Sequence, residues 1–168
     1  PSSPSGFLWN LFQSRPLTPF RDISRSSNPS RFSARITAAS RFEHSVGVAY
    51  LAEKLVEINP ELEEHKQLLM SAAVCHDIGS PPFSHVAEIF MYDILHRTHE
   101  QETEILLAPG SELYKILVAN DINPLDVIDI INGEGKLGPL VAGSIDLDNI
   151  DNSIRLLHSI GYPADQYD

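Results

Sequence analysis

Several histidines and aspartates of this chain stand where helices are expected to pack together. His76 and Asp77 close an apolar stretch that runs from Leu68 to Cys75, so an imidazole and a carboxylate should lie at the end of a buried helix. Burying an unpaired carboxylate is costly, and such a group needs a cation or strong hydrogen bonds. The His-Asp pair therefore indicates a cation site or a polar network.

Two other segments can contribute to the same site. His44 lies in the preceding predicted helix, and antiparallel packing could bring it near His76. Asp146, Asp148 and Asp151 open the last predicted helix, where the helix dipole favours carboxylates. Two histidines and two aspartates form a mixed nitrogen and oxygen site suited to Mn, Fe, Co, Ni or Zn, and less to Ca. Such an ion would acidify a water molecule and polarise a phosphoryl oxygen.

Each of these signals also has an ordinary structural explanation. A single buried histidine is more often a hydrogen-bonded core residue than a metal ligand. Aspartates at the start of a helix are often caps. A His-Asp dipeptide by itself is therefore weak support for a metal site.

The elements that must position these groups are predicted to be helices. Apolar residues recur near the helical period from about residue 42 to 58, and Asn59-Pro60 starts a second helix that should reach Asp77. Glycine and proline then end that helix. Further helices are expected at about residues 84–97, 100–108, 111–119, 123–133 and 145–160. No segment alternates over enough residues to indicate a strand, so the predicted fold class is all-α.

The composition indicates one globular domain without a membrane span. The 168 residues are 42% hydrophobic and 21% charged, and no apolar run approaches the roughly 20 residues that cross a bilayer. The single cysteine, Cys75, excludes an internal disulfide and is expected to be an inert buried thiol.

The charge is distributed unevenly along the chain. Residues 1–41 hold six arginines and one acid, about +5, whereas the remainder holds six basic and 22 acidic side chains, about −16. An acidic body disfavours nucleic-acid binding. A small anion can still bind beside a divalent cation, because the cation inverts the local field.

Four sequence blocks occur in order and carry a family resemblance. They are RFEHSVGVAYLA (41–52), HDIGSPPFSH (76–85), HEQ (99–101) and DLDNIDNSIR (146–155). Together they resemble the HD-domain deoxynucleoside triphosphate triphosphohydrolases, the dGTPase-like and SAM-and-HD-domain group, over about residues 41–156. The resemblance implies the all-helical HD bundle and a metal-dependent phosphohydrolase that acts on nucleotides. Deoxynucleoside triphosphates, cleaved to nucleoside and triphosphate, are the first substrates it implies.

The resemblance also implies a set of metal ligands. The family's ligands fall on His44, His76, Asp77 and Asp148, with Asp146 as the alternative if the register is shifted by two residues. One divalent transition-metal ion is implied as cofactor, with Mg as a possible addition.

Four further positions are implied to take part in catalysis. His99 matches a family histidine that helps protonate the leaving group, and Glu88 falls where the family has its acidic partner. His85 and Arg41 match positions that approach the phosphates. Glu100 has two equally good interpretations, a solvated acid at a helix start or a member of the site.

Departures from the family pattern keep two alternatives open. Ser80 stands where the family usually has a histidine, and Asn149, Asn152 and Leu156 replace the lysine, tyrosine and aspartate that help grip the triphosphate and sugar. A glutamine-leucine-glycine stretch that reads the deoxyribose is also missing before Arg41. The alternatives are an HD-type nucleoside monophosphatase or phosphodiesterase, and a non-catalytic HD module that binds a nucleotide or a partner protein.

The expected domain organisation has two parts. Residues 1–40 should form a Ser/Arg-rich arm with one short helix, and residues 41–168 the HD phosphohydrolase domain. A cytoplasmic location is expected, with organelle targeting as the alternative because the first 40 residues match the composition of a transit peptide. A homo-oligomer is a further expectation, in which a neighbouring subunit completes the pocket.

Overall fold

Helices account for the architecture of the computed structural model, which describes residues 4–24, 39–82 and 85–162. The α-helices in these ranges are α1 (Pro4–Phe12), α2 (Arg41–Ile58), α3 (Lys66–Cys75), α4 (His85–Leu95), α5 (His99–Leu106), α6 (Glu112–Val118), α7 (Pro124–Ile131), α8 (Gly138–Val141) and α9 (Leu147–Ser159). Short 3₁₀ helices lie at Thr18–Arg21 and Pro60–His65. Within the same ranges, β pairing is limited to one isolated bridge between Ser24 and Ser40. The all-α prediction is confirmed.

Local sequence signals fix the starts of two helices that carry predicted site residues. The Ser40 hydroxyl accepts a hydrogen bond from the Glu43 N–H at the start of α2, and the Glu43 carboxylate accepts one from the Ser40 N–H. Thr98 and Gln101 make the same reciprocal pair at the start of α5. Each capping box satisfies two N–H groups that a helix start leaves unpaired. The first turns of α2 and α5 are therefore well defined.

The second predicted helix is shorter than the sequence pattern suggested. A 3₁₀ helix occupies Pro60–His65, and α3 ends at Cys75. The chain then turns, because the Ile78 N–H donates to the Cys75 carbonyl and the Ser80 N–H donates to the Asp77 carbonyl. Such three-residue hydrogen bonds tighten the chain after a helix end. Asp77 consequently lies in a turn just beyond α3 and not within a helix.

The core is centred on α3, which packs against α1, α2 and α7, while α9 packs against α2. Four consecutive residues of α3, Ala72 to Cys75, are fully buried. Burial raises the pKa of the Cys75 thiol to about 12. This burial agrees with the expectation of an inert thiol.

Residues near the N-terminus contribute to the same core. Phe7, Leu11, Leu17 and Phe20 are all at most 3% exposed. The ring of Phe12 meets that of Phe42 edge to face, with 5.3 Å between the ring centroids. The predicted division of the chain at residue 41 stays a prediction, and residues 25–38 of the predicted arm lie outside the described ranges. None of the described helices has the length and apolar character needed to span a membrane.

Candidate metal centre

Three of the four predicted ligands converge where α2 and α3 pack together. His44 is buried in the first turns of α2, and His76 and Asp77 immediately follow α3. One potential ligand atom from each of the three residues lies within 4.8 Å of the others. The group can therefore hold a metal ion.

Asp148 lies at the same place, in the first turn of α9. Its Oδ1 atom is 2.9 Å from Nε2 of His44 and 3.9 Å from Nε2 of His76. Asp146, the alternative ligand, instead caps α9, because its carboxylate accepts hydrogen bonds from two backbone N–H groups. The geometry favours Asp148 as the fourth ligand, although its role as a ligand stays a prediction.

The hydrogen bonds of the two histidines orient both rings so that Nε2 of each faces the site. Nδ1 of His76 lies 2.8 Å from the Ala73 carbonyl, and Nδ1 of His44 lies 2.6 Å from the Asp151 carboxylate. Both Nδ1 atoms are therefore assigned as N–H donors. The Nε2 atoms of the two histidines are then left 3.2 Å apart. Two lone pairs at this separation repel each other unless a cation lies between them.

The separation of these two nitrogens fits a shared ion. Imidazole nitrogens that are each about 2.1 Å from one metal ion lie roughly 3.0–3.4 Å apart for octahedral to tetrahedral angles. In the absence of an ion, Nε2 of His44 would instead carry a proton and donate a hydrogen bond to the Asp148 carboxylate. The combination of imidazole nitrogens with carboxylate oxygens suits a divalent transition metal.

Asp77 is held ionised by its neighbours. The Ser80 hydroxyl donates to Oδ1 of Asp77 over 2.9 Å, and Nη1 of Arg41 lies 3.5 Å from Oδ2. Burial by itself would raise the pKa of the Asp77 carboxyl, but the electrostatic effects of the neighbouring His76 and Arg41 and the Ser80 hydrogen bond outweigh it and hold the pKa below its ordinary value. Ser80, a departure from the family pattern, thus supports a predicted ligand directly.

Two residues of α9, Asp151 and Asn152, contact predicted ligands, and the sequence analysis did not assign this supporting role to either of them. Asp151, 5% exposed, accepts hydrogen bonds from His44 and from Nε of Arg155, each 2.6 Å long. Nδ2 of Asn152 donates to Oδ1 of Asp148 over 2.9 Å. Helical spacing could have indicated these contacts, because residues three and four positions apart lie on one helix face. Asp148, Asp151, Asn152 and Arg155 all share that face.

Asp151 is also held in its ionised form. Burial by itself would raise the pKa of its carboxyl. The hydrogen bonds from His44 and Arg155, together with the charge of Arg155, outweigh burial and hold the pKa below its ordinary value. Asp151 can therefore accept both hydrogen bonds as a carboxylate.

The predicted general acid faces the same cleft as a predicted ligand. Nδ1 of His99 lies 3.2 Å from Oε1 of Glu88, and Nε2 of His99 lies 3.2 Å from Oε1 of Glu100. His76 and His99 both line a cleft of about 570 Å³. The His99-Glu88 pair expected from the sequence is formed, and its role in proton transfer stays a prediction.

Arg41, one of the two residues expected to approach the phosphates, lies against the turn after α3. Arg41 is 1% exposed, and its guanidinium lies 3.1 Å from the Pro81 carbonyl and 3.5 Å from the Ser80 carbonyl and from Asp77. These contacts hold the turn after α3. The side chain of His85 lies outside the described part of the chain. Phosphate contacts by Arg41 and His85 stay predictions.

Comparison with known protein families identifies the class of domain. The HD domain family model matches residues 41–152, which cover two thirds of the chain and contain every predicted ligand. The chain therefore belongs to the HD domain family, whose members bind divalent metal ions and are mostly metal-dependent phosphohydrolases. A crystal structure of a hypothetical protein from Aquifex aeolicus superimposes with a TM-score of 0.76 at 26% identity, covering 94% of this chain and 43% of that one.

Two relatives illustrate the range of proteins that share the domain. An uncharacterized protein from Methanocaldococcus jannaschii is 32% identical over 117 residues, which cover 69% of this chain and 22% of the relative. The deoxynucleoside triphosphate triphosphohydrolase SAMHD1 homolog from Dictyostelium discoideum is 30% identical over 108 residues, 59% of this chain and 21% of the relative. The chain spans about a fifth of the length of both relatives.

Proposed function

We propose that this chain carries a metal-dependent phosphohydrolase site that acts on nucleotides, with deoxynucleoside triphosphates as the first substrate class. The observation that carries the proposal is the pair of Nε2 atoms of His44 and His76, 3.2 Å apart, with Asp77 and Asp148 beside them. The family supports the reaction type. The printed name of the Dictyostelium relative supports the substrate class.

His44, His76, Asp77 and Asp148 would hold one divalent transition-metal ion, such as Mn, Fe, Co, Ni or Zn, with Mg as a possible addition. Such an ion, when bound, lowers the pKa of a water molecule and offsets negative charge on a phosphoryl group. Arg41 and Ser80 keep Asp77 oriented toward this position. Asn152 does the same for Asp148.

His99, supported by Glu88, supplies the proton for the leaving group. The oxygen of a water molecule bonds to the α-phosphorus and that water loses a proton to the solvent, the bond from the phosphorus to the nucleoside oxygen breaks, and Nε2 of His99 gives the departing oxygen a proton. Glu88 holds Nδ1 of His99 from the other side of the ring. Nε2 must leave Glu100 to reach the leaving group. His85 and Arg41 are proposed to approach the remaining phosphates.

A smaller substrate is the second candidate, and the charge of the cleft favours testing it. Glu100 and Glu134 line the cleft, and the described lining contains no lysine or arginine. A triphosphate carries more negative charge than a monophosphate or a diester and is repelled more strongly by such carboxylates. An HD-type nucleoside monophosphatase or phosphodiesterase would meet less repulsion.

A nucleotide screen with Mn, Co, Mg and Zn, with products separated by chromatography, tests these proposals. Nucleoside and triphosphate as products support the first candidate, and orthophosphate from a monophosphate or cleavage of a diester supports the second. Nucleotide binding without turnover under any metal indicates a non-catalytic HD module instead. A His44→Ala, Asp148→Ala double variant should lose turnover, whereas Lys54→Ala, an exposed surface change, should retain it. Full activity in the double variant would contradict the site assignment.

Oligomeric state and location remain part of the proposal. A homo-oligomer would place a neighbouring subunit at the cleft. Light scattering on the active protein tests this arrangement, and an active monomer would exclude it. The cytoplasmic location stays a prediction.

A further inference from the structure

Asp151 and Arg155 connect α9 to the metal-facing histidine of α2. One carboxylate oxygen of Asp151, Oδ2, accepts hydrogen bonds from Nδ1 of His44 and from Nε of Arg155, both over 2.6 Å. Nη2 of Arg155 also donates to the Glu43 carbonyl over 2.6 Å. We propose that Asp151 and Arg155 are positioning residues that hold His44 in its metal-binding orientation. We further propose that Gly47 keeps the space in which this pair lies. The inference rests on the proposed metal site.

The bond between Asp151 and His44 determines which nitrogen of the ring can bind an ion. His44 is 1% exposed and Asp151 is 5% exposed, so water competes little for this hydrogen bond. A charge-assisted bond to Nδ1–H fixes the ring orientation and leaves the Nε2 lone pair directed at the site. Without the carboxylate, the ring can rotate or carry its proton on Nε2, and either change removes the ligand.

Arg155 acts one step further from the site. Its side chain is 30% exposed, and it contacts Asp151 and the Glu43 carbonyl through two different nitrogens. A planar guanidinium can make two such bonds in a fixed geometry, which the single ammonium of a lysine does not reproduce. Arg155 therefore restrains the orientation of the Asp151 carboxylate and joins α9 to the first turn of α2.

Gly47 lies one helical turn after His44, facing the same pair. A Cβ atom at Gly47 would overlap the carboxylate of Asp151 and crowd Nη2 of Arg155. Glycine in a helix interior is less stable than alanine, so its presence in the middle of α2 has a packing reason here. The absence of a side chain at this position allows α9 to approach α2 closely enough for the Asp151-His44 bond.

Metal affinity measured with Zn²⁺ alone, by competition with a chromophoric chelator, tests the inference without requiring turnover. Asp151→Asn should weaken Zn²⁺ binding about 10- to 100-fold, the usual effect of removing a partner of a ligating histidine. Arg155→Ala, Arg155→Lys and Gly47→Ala should weaken it in the same direction. Ser153→Ala, an exposed change on α9, is the matched control and should bind Zn²⁺ like the unmodified protein.

A double-variant cycle distinguishes positioning from independent effects. If Arg155 acts through Asp151, adding Arg155→Ala to Asp151→Asn should weaken Zn²⁺ binding by much less than Arg155→Ala does alone. Co²⁺ absorption spectra should also change shape in Asp151→Asn, because a displaced imidazole alters the coordination. Thermal melting of the metal-free proteins identifies any variant that fails to fold. If Asp151→Asn does not fold, Zn²⁺ binding is measured instead on Arg155→Lys, which changes a partly exposed residue.

Several outcomes would overturn the inference. Folded Asp151→Asn or Arg155→Lys protein that binds Zn²⁺ like the unmodified chain contradicts it, as do fully additive losses in the cycle. An unmodified protein that binds neither Zn²⁺ nor Co²⁺ removes the proposed metal site and the inference together. Zn²⁺ binding without nucleotide turnover removes only the proposed reaction, and losses in the variants would then still support the positioning role.

Discussion

Gly79 lies against Thr103 with no room between them for a side chain. A Cβ atom at Gly79 would overlap the Thr103 hydroxyl and the carbonyl oxygen of His99. Thr103 is 3% exposed, and its hydroxyl donates to that same carbonyl over 2.9 Å. Because Gly79 follows His76 by three residues, this contact joins the turn that carries two proposed ligands to the helix that carries the proposed general acid.

Replacing Gly79 with alanine should separate His99 from the proposed metal ligands. The added methyl meets backbone atoms of α5, so the helix start must move. We expect turnover of a nucleotide to fall about 10- to 100-fold, since a displacement near 1 Å can cost that much. Turnover of p-nitrophenyl phosphate or its diester should fall less, because that leaving group needs little protonation. Zn²⁺ affinity should stay near that of the unmodified protein.

Thr103→Ser is the matched control for this prediction, because it keeps the hydroxyl and its hydrogen bond to the His99 carbonyl. It should retain the activity of the unmodified protein on both substrates. Equal losses on both substrates in Gly79→Ala, accompanied by weaker Zn²⁺ binding, would mean that the change disturbs the whole site and not the position of His99.

Asp148, the predicted ligand, and Asp146, its alternative, should behave differently when changed. Asp148→Asn should weaken Zn²⁺ binding at least about 10-fold with little effect on stability, because its carboxylate faces His44 and is 34% exposed. Asp146→Asn should leave Zn²⁺ binding nearly unchanged, since asparagine also caps helices well. Asp146→Ala should instead lower the free energy of unfolding by about 0.5–2 kcal/mol. Reversed Zn²⁺ affinities would make Asp146 the ligand.

Much of the fold follows from signals that lie within a few residues of one another. The Ser40 capping box and the apolar spacing of α2 define that helix almost to the residue. The end of α3 was harder to predict, because the first glycine after it is Gly79, whereas the backbone already turns after Cys75. The turn depends on the contact of Gly79 with α5, and such a contact between distant segments has no local signature.

The candidate site also contains residues that the sequence could predict and residues that it could not. A resemblance in four short blocks was enough to select His44, His76, Asp77 and Asp148 as candidate ligands, and these residues lie close together in the structure. The role of Asp151 could not be predicted, because it depends on the rotation of α9 about its axis and on its distance from α2. Both are set by the packing of the whole domain.

The burial of Leu11 provides a test of whether the N-terminal residues belong to the folded core. Leu11 in α1 is fully buried, whereas Trp9 on the same helix is 61% exposed. Leu11→Ala should lower the free energy of unfolding by about 2–5 kcal/mol, the cost of lost burial and a new cavity. Trp9→Ala should change it by less than about 0.5 kcal/mol. Urea unfolding measures both, and equal small effects would show that α1 contributes little to stability.

The buried thiol of Cys75 should make stability depend on alkaline pH. Burial raises its pKa to about 12 in the folded protein, whereas an unfolded thiol ionises near pH 8.5–9. Above that lower value the unfolded state loses the proton first, so the free energy of unfolding should fall as the pH rises, by about 2–3 kcal/mol between pH 9 and 11. Cys75→Ala should remove this component, which the difference between the two urea-unfolding profiles isolates from the titration of other groups. Parallel profiles for the two proteins would contradict the prediction, as would rapid reaction of the native thiol with a disulfide reagent at pH 8.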